Sequence, residues 1–364
     1  MGKKSTEKQI PIISIITTFY NAEKFIWNTL NSINQQIVDA NLFDFEYVIV
    51  DDKSPDSSRR IVEDFIKTQV PEQNKHKWKI YEPEENLGCG GARKYGIDHA
   101  IGDYFMFLDA DDYYMHTNFL LNAFTTLTSE NADVVEYGVI FNQPNGQQIN
   151  NTANQKYVIE NNPSLAEIAL FKDNLIKFNV WSKIYRRWVV ESYPYSTART
   201  YEDVRTIPVW MANAHKIVIM PTPEINYRAA TGSIIRTNMV DTRVGTITAI
   251  AELFPRFKDD FNVLKAMYGR AMVDLEALLH NHSSNDDGFN QMSRLNTFML
   301  SYLYPNQYKE MTYHIEDDPE IQGTEQPVLP TAVPLFVKNE TQEINEADYT
   351  GWNGKPDLDS FEVQ

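Results

Sequence analysis

Apolar and polar positions follow two rhythms in the first part of the chain. The β-branched run IPIISIITTF (10–19) reads as a buried strand. Behind it, Ile26, Leu30, Ile33 and Ile37 recur at helical spacing, and Asn21 stands where it can cap the helix they define. FEYVIV (45–50) is a second strand, which stops at the turn-rich DDKSPDSS and passes into the helix SRRIVEDFI. KWKIYEP (77–83) is a third strand, and GGARKYGIDHAIG (90–102) is a helix closed by Gly102. DYFMFL (103–108) and ADVVEYGVIF (132–141) are the fourth and fifth strands. Strands alternating with helices imply an α/β chain with a doubly wound, mostly parallel sheet flanked by helices.

The pattern changes from about residue 160. NVWSKIYRRWVV suggests a helix or strand-turn, YEDVRTIPVWMANA a second helix and KIVIMPTPEINYR a returning strand. Longer helical patterns such as VLKAMYGRAMVDLEALLHN occupy residues 236–305. Residues 306–364 are polar, acidic and punctuated by proline, a tail expected to be extended or disordered. The expected organisation is therefore an α/β domain over residues 1–235, a helical C-terminal region and the acidic tail.

Composition narrows the function classes. A net charge of −17 argues against broad, sequence-independent binding to nucleic acid or anionic membrane. The single cysteine, Cys89, permits no internal disulfide and no thiolate-rich metal site, and reads as a small buried hydrophobe. The N-terminus lacks the apolar core of a secretion signal, and no apolar run reaches the roughly 18 residues of a membrane span. A cytoplasmic chain without a transmembrane segment is the expectation. His280 and His282 lack further ligands and read as surface residues.

In doubly wound sheets, ligands bind beyond the carboxyl ends of the strands. Thr18, Asp51, Asp52, Asn86 and the acids of DADD (Asp109, Asp111, Asp112) all follow strand ends and should share one rim. Crowded carboxylates must be protonated, paired or bound to a cation, and DADD has no lysine or arginine beside it in sequence. Hard oxygen ligands suit Mg²⁺ or Mn²⁺, which keep positions open for diphosphate oxygens. The plainer alternative is an acidic turn capping the next helix. For Asp51 and Asp52 the alternative is helix capping together with Ser54 and Asp56. The glycines of LGCGGARKYG lack the G-x-G-x-x-G spacing of a dinucleotide site, and close packing of the helix on the sheet explains them better.

The ordered set SIITTFYNAEKFIWNTLNSI, EYVIVDDKSPDSS, NLGCGGARKYGIDHAIGDYFMFLDADD, VWSKIYRR and YEDV resembles the family 2 glycosyltransferases of GT-A fold, over roughly residues 10–235. The resemblance implies that Thr18 and Tyr20 cradle the base of a nucleotide-diphospho-sugar donor, with Asp51 beside them and Asp52 hydrogen-bonding a uracil ring nitrogen. It places Asn86 and Arg93 beneath the nucleotide, with Lys94 standing where the family usually has asparagine. Asp109 and Asp111 match the family's DxD: Asp111 as metal ligand, Asp109 as a second ligand or a holder of the ribose, and Asp112 serving either purpose. Trp181 and Lys183 would border the donor sugar, although an amphipathic core helix explains them as well. Asp203 matches the catalytic base and Glu202 its orienting neighbour. Arg228, Ser233 and Arg236 would meet the diphosphate or an anionic acceptor.

The chemistry so implied is metal-dependent, inverting transfer from a UDP-sugar to an acceptor hydroxyl, with Mn²⁺ or Mg²⁺ as cofactor. A surface glycan or teichoic-acid-like polymer is the expected acceptor, and residues 236–305 the region for acceptor choice or oligomer contacts. The alternatives are a transferase acting on hydroxymethylated bases of phage DNA, so that a nucleic acid is the acceptor, and a non-catalytic nucleotide-sugar-binding module.

Overall fold

The structure, a computed structural model, describes residues 10–143, 145–228, 239–279 and 287–305. Strands β1 (Ile12–Phe19), β2 (Asp44–Asp51), β3 (Trp78–Tyr81) and β4 (Tyr104–Phe107) are all parallel. Helices α1 (Ile26–Asn34), α2 (Ser58–Thr68) and α3 (Gly88–His99) alternate with them. A parallel strand is covered on both faces, and Ile13, Ser14, Ile15, Ile16 and Thr17 of β1 are accordingly all buried. Helix α3 reaches the sheet through Gly96, where a Cβ would sit 2.7 Å from Ile16 Cγ2 and 3.2 Å from Val50 Cγ2. Close packing thus accounts for this glycine.

Then follow β5 (Tyr113–Tyr114), α4 (Phe119–Ser129), β6 (Val134–Asn142), β7 (Gln148–Asn151), β8 (Tyr157–Glu160) and α5 (Pro163–Phe171). β9 (Lys183–Arg186), α6 (Arg187–Glu191), α7 (Glu202–Asn213) and β10 (Lys216–Arg228) come next. The described strands form one sheet in the order β3-β2-β1-β4-β9-β6-β10-β5, with β7 beside β6 and β8 beside β10. This is the α/β architecture of GT-A type, parallel from β3 to β4 and mixed beyond. The change comes at β9, which runs antiparallel to both β4 and β6. β10 is parallel to β6 but shifts register around Pro223, where the missing proline N–H interrupts the ladder.

Three local expectations are corrected. Asn21 does not cap α1, which begins only at Ile26; it adopts left-handed backbone (φ 57°) and gives its N–H to Ser54 Oγ. Ile37 lies beyond the last turn of α1 and is 53% exposed, unlike the buried Ile26, Leu30 and Ile33. Helix α3 also stops at His99, short of Gly102.

Contacts divide the chain into two compact units, one of Met1–Pro163 and Lys177–Thr231, the other of Ser164–Ile176 and Gly232–Gln364, each considered over its described residues. The second unit contains α8 (Met239–Ala251), α9 (Phe261–Leu279) and α10 (Asp287–Leu303). Its buried side chains include Ile250, Phe254, Leu264, Met267, Leu295 and Met299. Ala166, Ala169, Leu170 and Phe171 of α5 are buried as well, and Ser164 Oγ donates to Asp260 just ahead of α9. Among the described residues no helix is long and apolar enough to cross a membrane. The 306–364 tail lies outside the described residues.

Candidate active site

The rim begins where β1 and β2 end. Thr18 is half-buried in β1, while Tyr20, just past it, is 56% exposed. Asp51 and Asp52 are buried, and burial raises the carboxyl of each above its usual range against the hydrogen bonds that hold it down. Asp51 Oδ1 accepts the Ser54 N–H at 2.8 Å, and Asp56 Oδ1 accepts the Ser58 N–H at 3.0 Å. Asp52 does something else. Its Oδ1 accepts the Leu87 N–H at 2.7 Å and its Oδ2 the Gly88 N–H at 2.9 Å. It therefore caps α3, where the free N–H groups and the helix dipole favour an anion. Asn86 Nδ2 donates to the Asp52 carbonyl at 2.7 Å, so these two residues are locked together.

The fold brings cations to DADD that the local sequence lacks. Arg93, on α3 and 6% exposed, donates from Nη2 to Asp109 Oδ1 at 2.6 Å and from Nη1 to Glu202 and to the Tyr195 hydroxyl. Burial opposes its charge, but Asp109, Tyr195 and Glu202 hold the guanidinium well above its ordinary pKa. Asp112 is fully buried; its Oδ1 accepts the Arg228 N–H at 2.9 Å, and its Oδ2 has no hydrogen-bond partner among the described residues. Burial, with Asp111 and Asp109 nearby, pushes Asp112 well above the carboxylate range. The Asp111 side chain makes no hydrogen bond to another described residue. Burial and the Asp109 charge raise it to about 6.

A third element completes the cluster. Helix α7 starts at Glu202, immediately after Tyr201 in left-handed backbone (φ 56°). Glu202 is buried in its ion pair with Arg93, and its neighbour Asp203 is pushed up to about 7 by burial and by the Glu202 charge. Asp203 Oδ1 accepts the Val204 N–H at 2.8 Å. One arginine thus connects the first acid of DADD to the acid beside Asp203. Arg199, which the sequence reading passed over, donates to Asn86 Oδ1 and to the Asn86 carbonyl, each at 3.0 Å.

Other candidates fall elsewhere. Lys183 is fully buried on β9, its ammonium spent on the carbonyls of Lys177 (2.8 Å) and Asn179 (2.7 Å) and on Glu136 (3.2 Å). A contact with the donor sugar is not what this geometry provides, because a core lysine must be paired. Trp181 is buried and stacks on Tyr227, with ring centroids 5.5 Å apart. The Arg228 guanidinium lies 4.8 Å from the centre of the Phe25 ring, and its Nε points to the Asp111 carbonyl at 3.4 Å. Lys94 pairs with Asp98 on the helix surface. Cys89 is half-buried, and burial keeps its thiol protonated. Ser233, Arg236, His280 and His282 lie outside the described residues. A cavity of about 390 Å³ lined by Pro11, Asp103, Tyr104, Arg186, Arg187 and Trp188 opens at the starts of β1 and β4, away from the carboxylates.

No group of three or more His, Cys, Asp or Glu side chains arranged to hold a metal occurs among the described residues. The described residues alone therefore offer no closed cage. Asp111, together with the orphaned Asp112 Oδ2, fits the other kind of site, in which one or two carboxylates hold a hard cation and substrate oxygens and water complete it.

Residues 14–191 match the family model described as Glycosyl transferase family 2. This chain carries a family 2 glycosyltransferase domain. The match takes in DADD and Arg93 and ends with α6, ahead of Asp203. The Bacillus subtilis protein EpsH is 29% identical over 187 residues, 51% of this chain and 50% of its own length. The Streptococcus pneumoniae glycosyltransferase GlyG is 24% identical, covering 76% of this chain and 91% of its own. TarS of Staphylococcus aureus, a poly(ribitol-phosphate) β-N-acetylglucosaminyltransferase, is 34% identical over 123 residues, 34% of this chain and 20% of its own length. The chain thus spans half the length of EpsH and a fifth of TarS. A crystal structure of TarS residues 1–349 superposes with a TM-score of 0.58 at 19% identity, covering 81% of each chain. At that identity the likeness speaks for the fold of the family 2 domain.

Proposed function

We propose that this chain transfers a sugar from a UDP-sugar to a hydroxyl of a polymer acceptor, with Asp203 as the base. The observation that carries the reading is the placement of Asp203: pushed to about 7, beside a Glu202 that Arg93 ties to Asp109. A hydroxyl is a poor nucleophile while protonated, and a carboxylate titrating near neutrality can take its proton as the transition state forms. In this reading the acceptor oxygen attacks the anomeric carbon as the bond to the diphosphate breaks, and the proton passes to Asp203. One base opposite the leaving group implies inversion. Asp52 and Asn86 line the base corner, and Asp111, with Asp112 behind it, holds the diphosphate end. A bound Mn²⁺ or Mg²⁺ would neutralise charge developing on the leaving diphosphate. Arg228 lies close enough to Asp111 to share that task. The second unit is the proposed acceptor or oligomer region.

Support for the donor and acceptor classes is the TarS name and its crystal complex with UDP-GlcNAc, which superposes with a TM-score of 0.52 at 20% identity. The test is a binding and turnover screen of UDP-, GDP-, TDP- and CDP-sugars against the full chain, each with Mn²⁺ and with EDTA. Binding of UDP-sugars that weakens in EDTA is the expected result. Asp111→Ala should weaken binding in Mn²⁺ and leave the residual binding in EDTA unchanged. Equal loss in both conditions would show that Asp111 meets no cation. Asp203→Asn should slow transfer by about 10²–10⁴-fold, the worth of a positioned base, while UDP affinity stays within about twofold.

A further inference from the structure

We infer that Arg199 is a positioning residue of this site, a clip through which the segment 196–201 couples the nucleotide-base corner to Asp203. The inference rests on the donor reading above and adds a residue that neither the sequence motifs nor the relatives assign. Arg199 is exposed, yet its guanidinium grips a single residue twice, Asn86 Oδ1 and the Asn86 carbonyl, across 113 positions of sequence. Asn86 in turn holds the Asp52 carbonyl, so the chain of contacts runs Arg199, Asn86, Asp52.

The segment lies flat because the helix beneath it is bare. Gly88 has left-handed backbone (φ +74°), and a Cβ there would stand 2.8 Å from Arg199 Cγ. A Cβ at Gly90 would stand 2.5 Å from the Ser196 carbonyl oxygen and nearer still to that of Ala198. Real Cβ atoms do not approach so closely, so a side chain at Gly90 would lift the segment and one at Gly88 would displace the Arg199 side chain. These two glycines of the GCGG run therefore seat the strap, whereas Gly96 serves the packing on the sheet.

The far end is anchored too. The Ser196 N–H donates to Thr206 Oγ1 at 3.0 Å on α7. The last residue, Tyr201, is bulky and left-handed, a conformation that persists only where its surroundings hold it. Glu202 and Asp203 follow at once. Releasing Arg199 loosens the approach to Tyr201 and with it the placement of Asp203, while Asp52 keeps its own bonds to Leu87 and Gly88.

The test compares Arg199→Ala and Arg199→Lys with the unaltered full chain, using UDP for affinity and the donor that the unaltered chain turns over for kcat and KM. Small displacements of catalytic groups are costly, so Arg199→Ala should lower kcat by about tenfold to a hundredfold, and Arg199→Lys should recover part of it. UDP affinity should stay within about twofold, because Arg199 acts through Asn86 and not on the nucleotide. An unchanged kcat overturns the inference. So does a loss of UDP affinity as large as the loss of kcat, which makes Arg199 a direct donor ligand. A failure of the donor reading is visible separately, since the unaltered chain would then bind no nucleotide sugar.

Discussion

Asp203 and Asp111 are carboxylates held high, near 7 and near 6, and both are raised chiefly by burial. Their folded pKa values lie above the unfolded ones, so between about pH 4 and pH 7 the folded chain binds more protons than the unfolded chain. These two groups therefore make the protein more stable as pH falls through that window and less stable as it rises. Melting temperature measured from pH 7 down to pH 5 should show this component, and Asp203→Asn should flatten the part above pH 6. Transfer runs the opposite way, because the base works only once its proton is lost. Turnover should climb as pH rises through about 7. Asp111 was legible in the sequence itself, since a strand that ends in three carboxylates demands a partner, and Asp203 through the resemblance to the family 2 glycosyltransferases. Their partners were not. Arg93 meets Glu202 109 positions away and Arg199 meets Asn86 113 positions away, and no local spacing encodes such pairs.

At the scale of elements, the parallel strands β1, β2 and β4 could be read because strands covered on both faces are largely apolar runs, while β3, at the sheet edge, is only partly buried. The strands β7, β8 and β9 could not, being four residues each and partly polar. β9 is the instructive case. Its Lys183 was expected to border the donor sugar, yet it faces Glu136 across the β6–β9 ladder in the core. Burial pulls the lysine down and pushes the glutamate up, and each charge is sustained by the other. Removing one partner from such a pair strands the other. Lys183→Met should cost about 3–5 kcal/mol in urea unfolding, and adding Glu136→Gln to it should recover a large part. Equal losses in the single and double variants would mean that the carbonyls of Lys177 and Asn179, not Glu136, are what the ammonium needs.

For the whole molecule, the chain changes unit more than once along its length. Residues 164–176 cluster with the helices that follow residue 232, so the polypeptide leaves the first unit, returns to it and leaves again. Sequence reading had no purchase on this, because a nine-residue apolar helix such as α5 looks like any other segment of an α/β domain. A chain ended after residue 231 would keep Ala166, Ala169, Leu170 and Phe171 without the unit they cluster with. Such a truncation should elute as soluble aggregate in size-exclusion chromatography, whereas the full chain should not. The same interleaving sets a clock during synthesis. The ribosome delivers α5 roughly a hundred residues before α9 is finished, and at about 5–20 residues per second that is an interval of about 5–20 seconds. Throughout it the nascent chain displays an apolar helix whose own unit does not yet exist, a window in which chaperones and not native contacts must keep it from sticking.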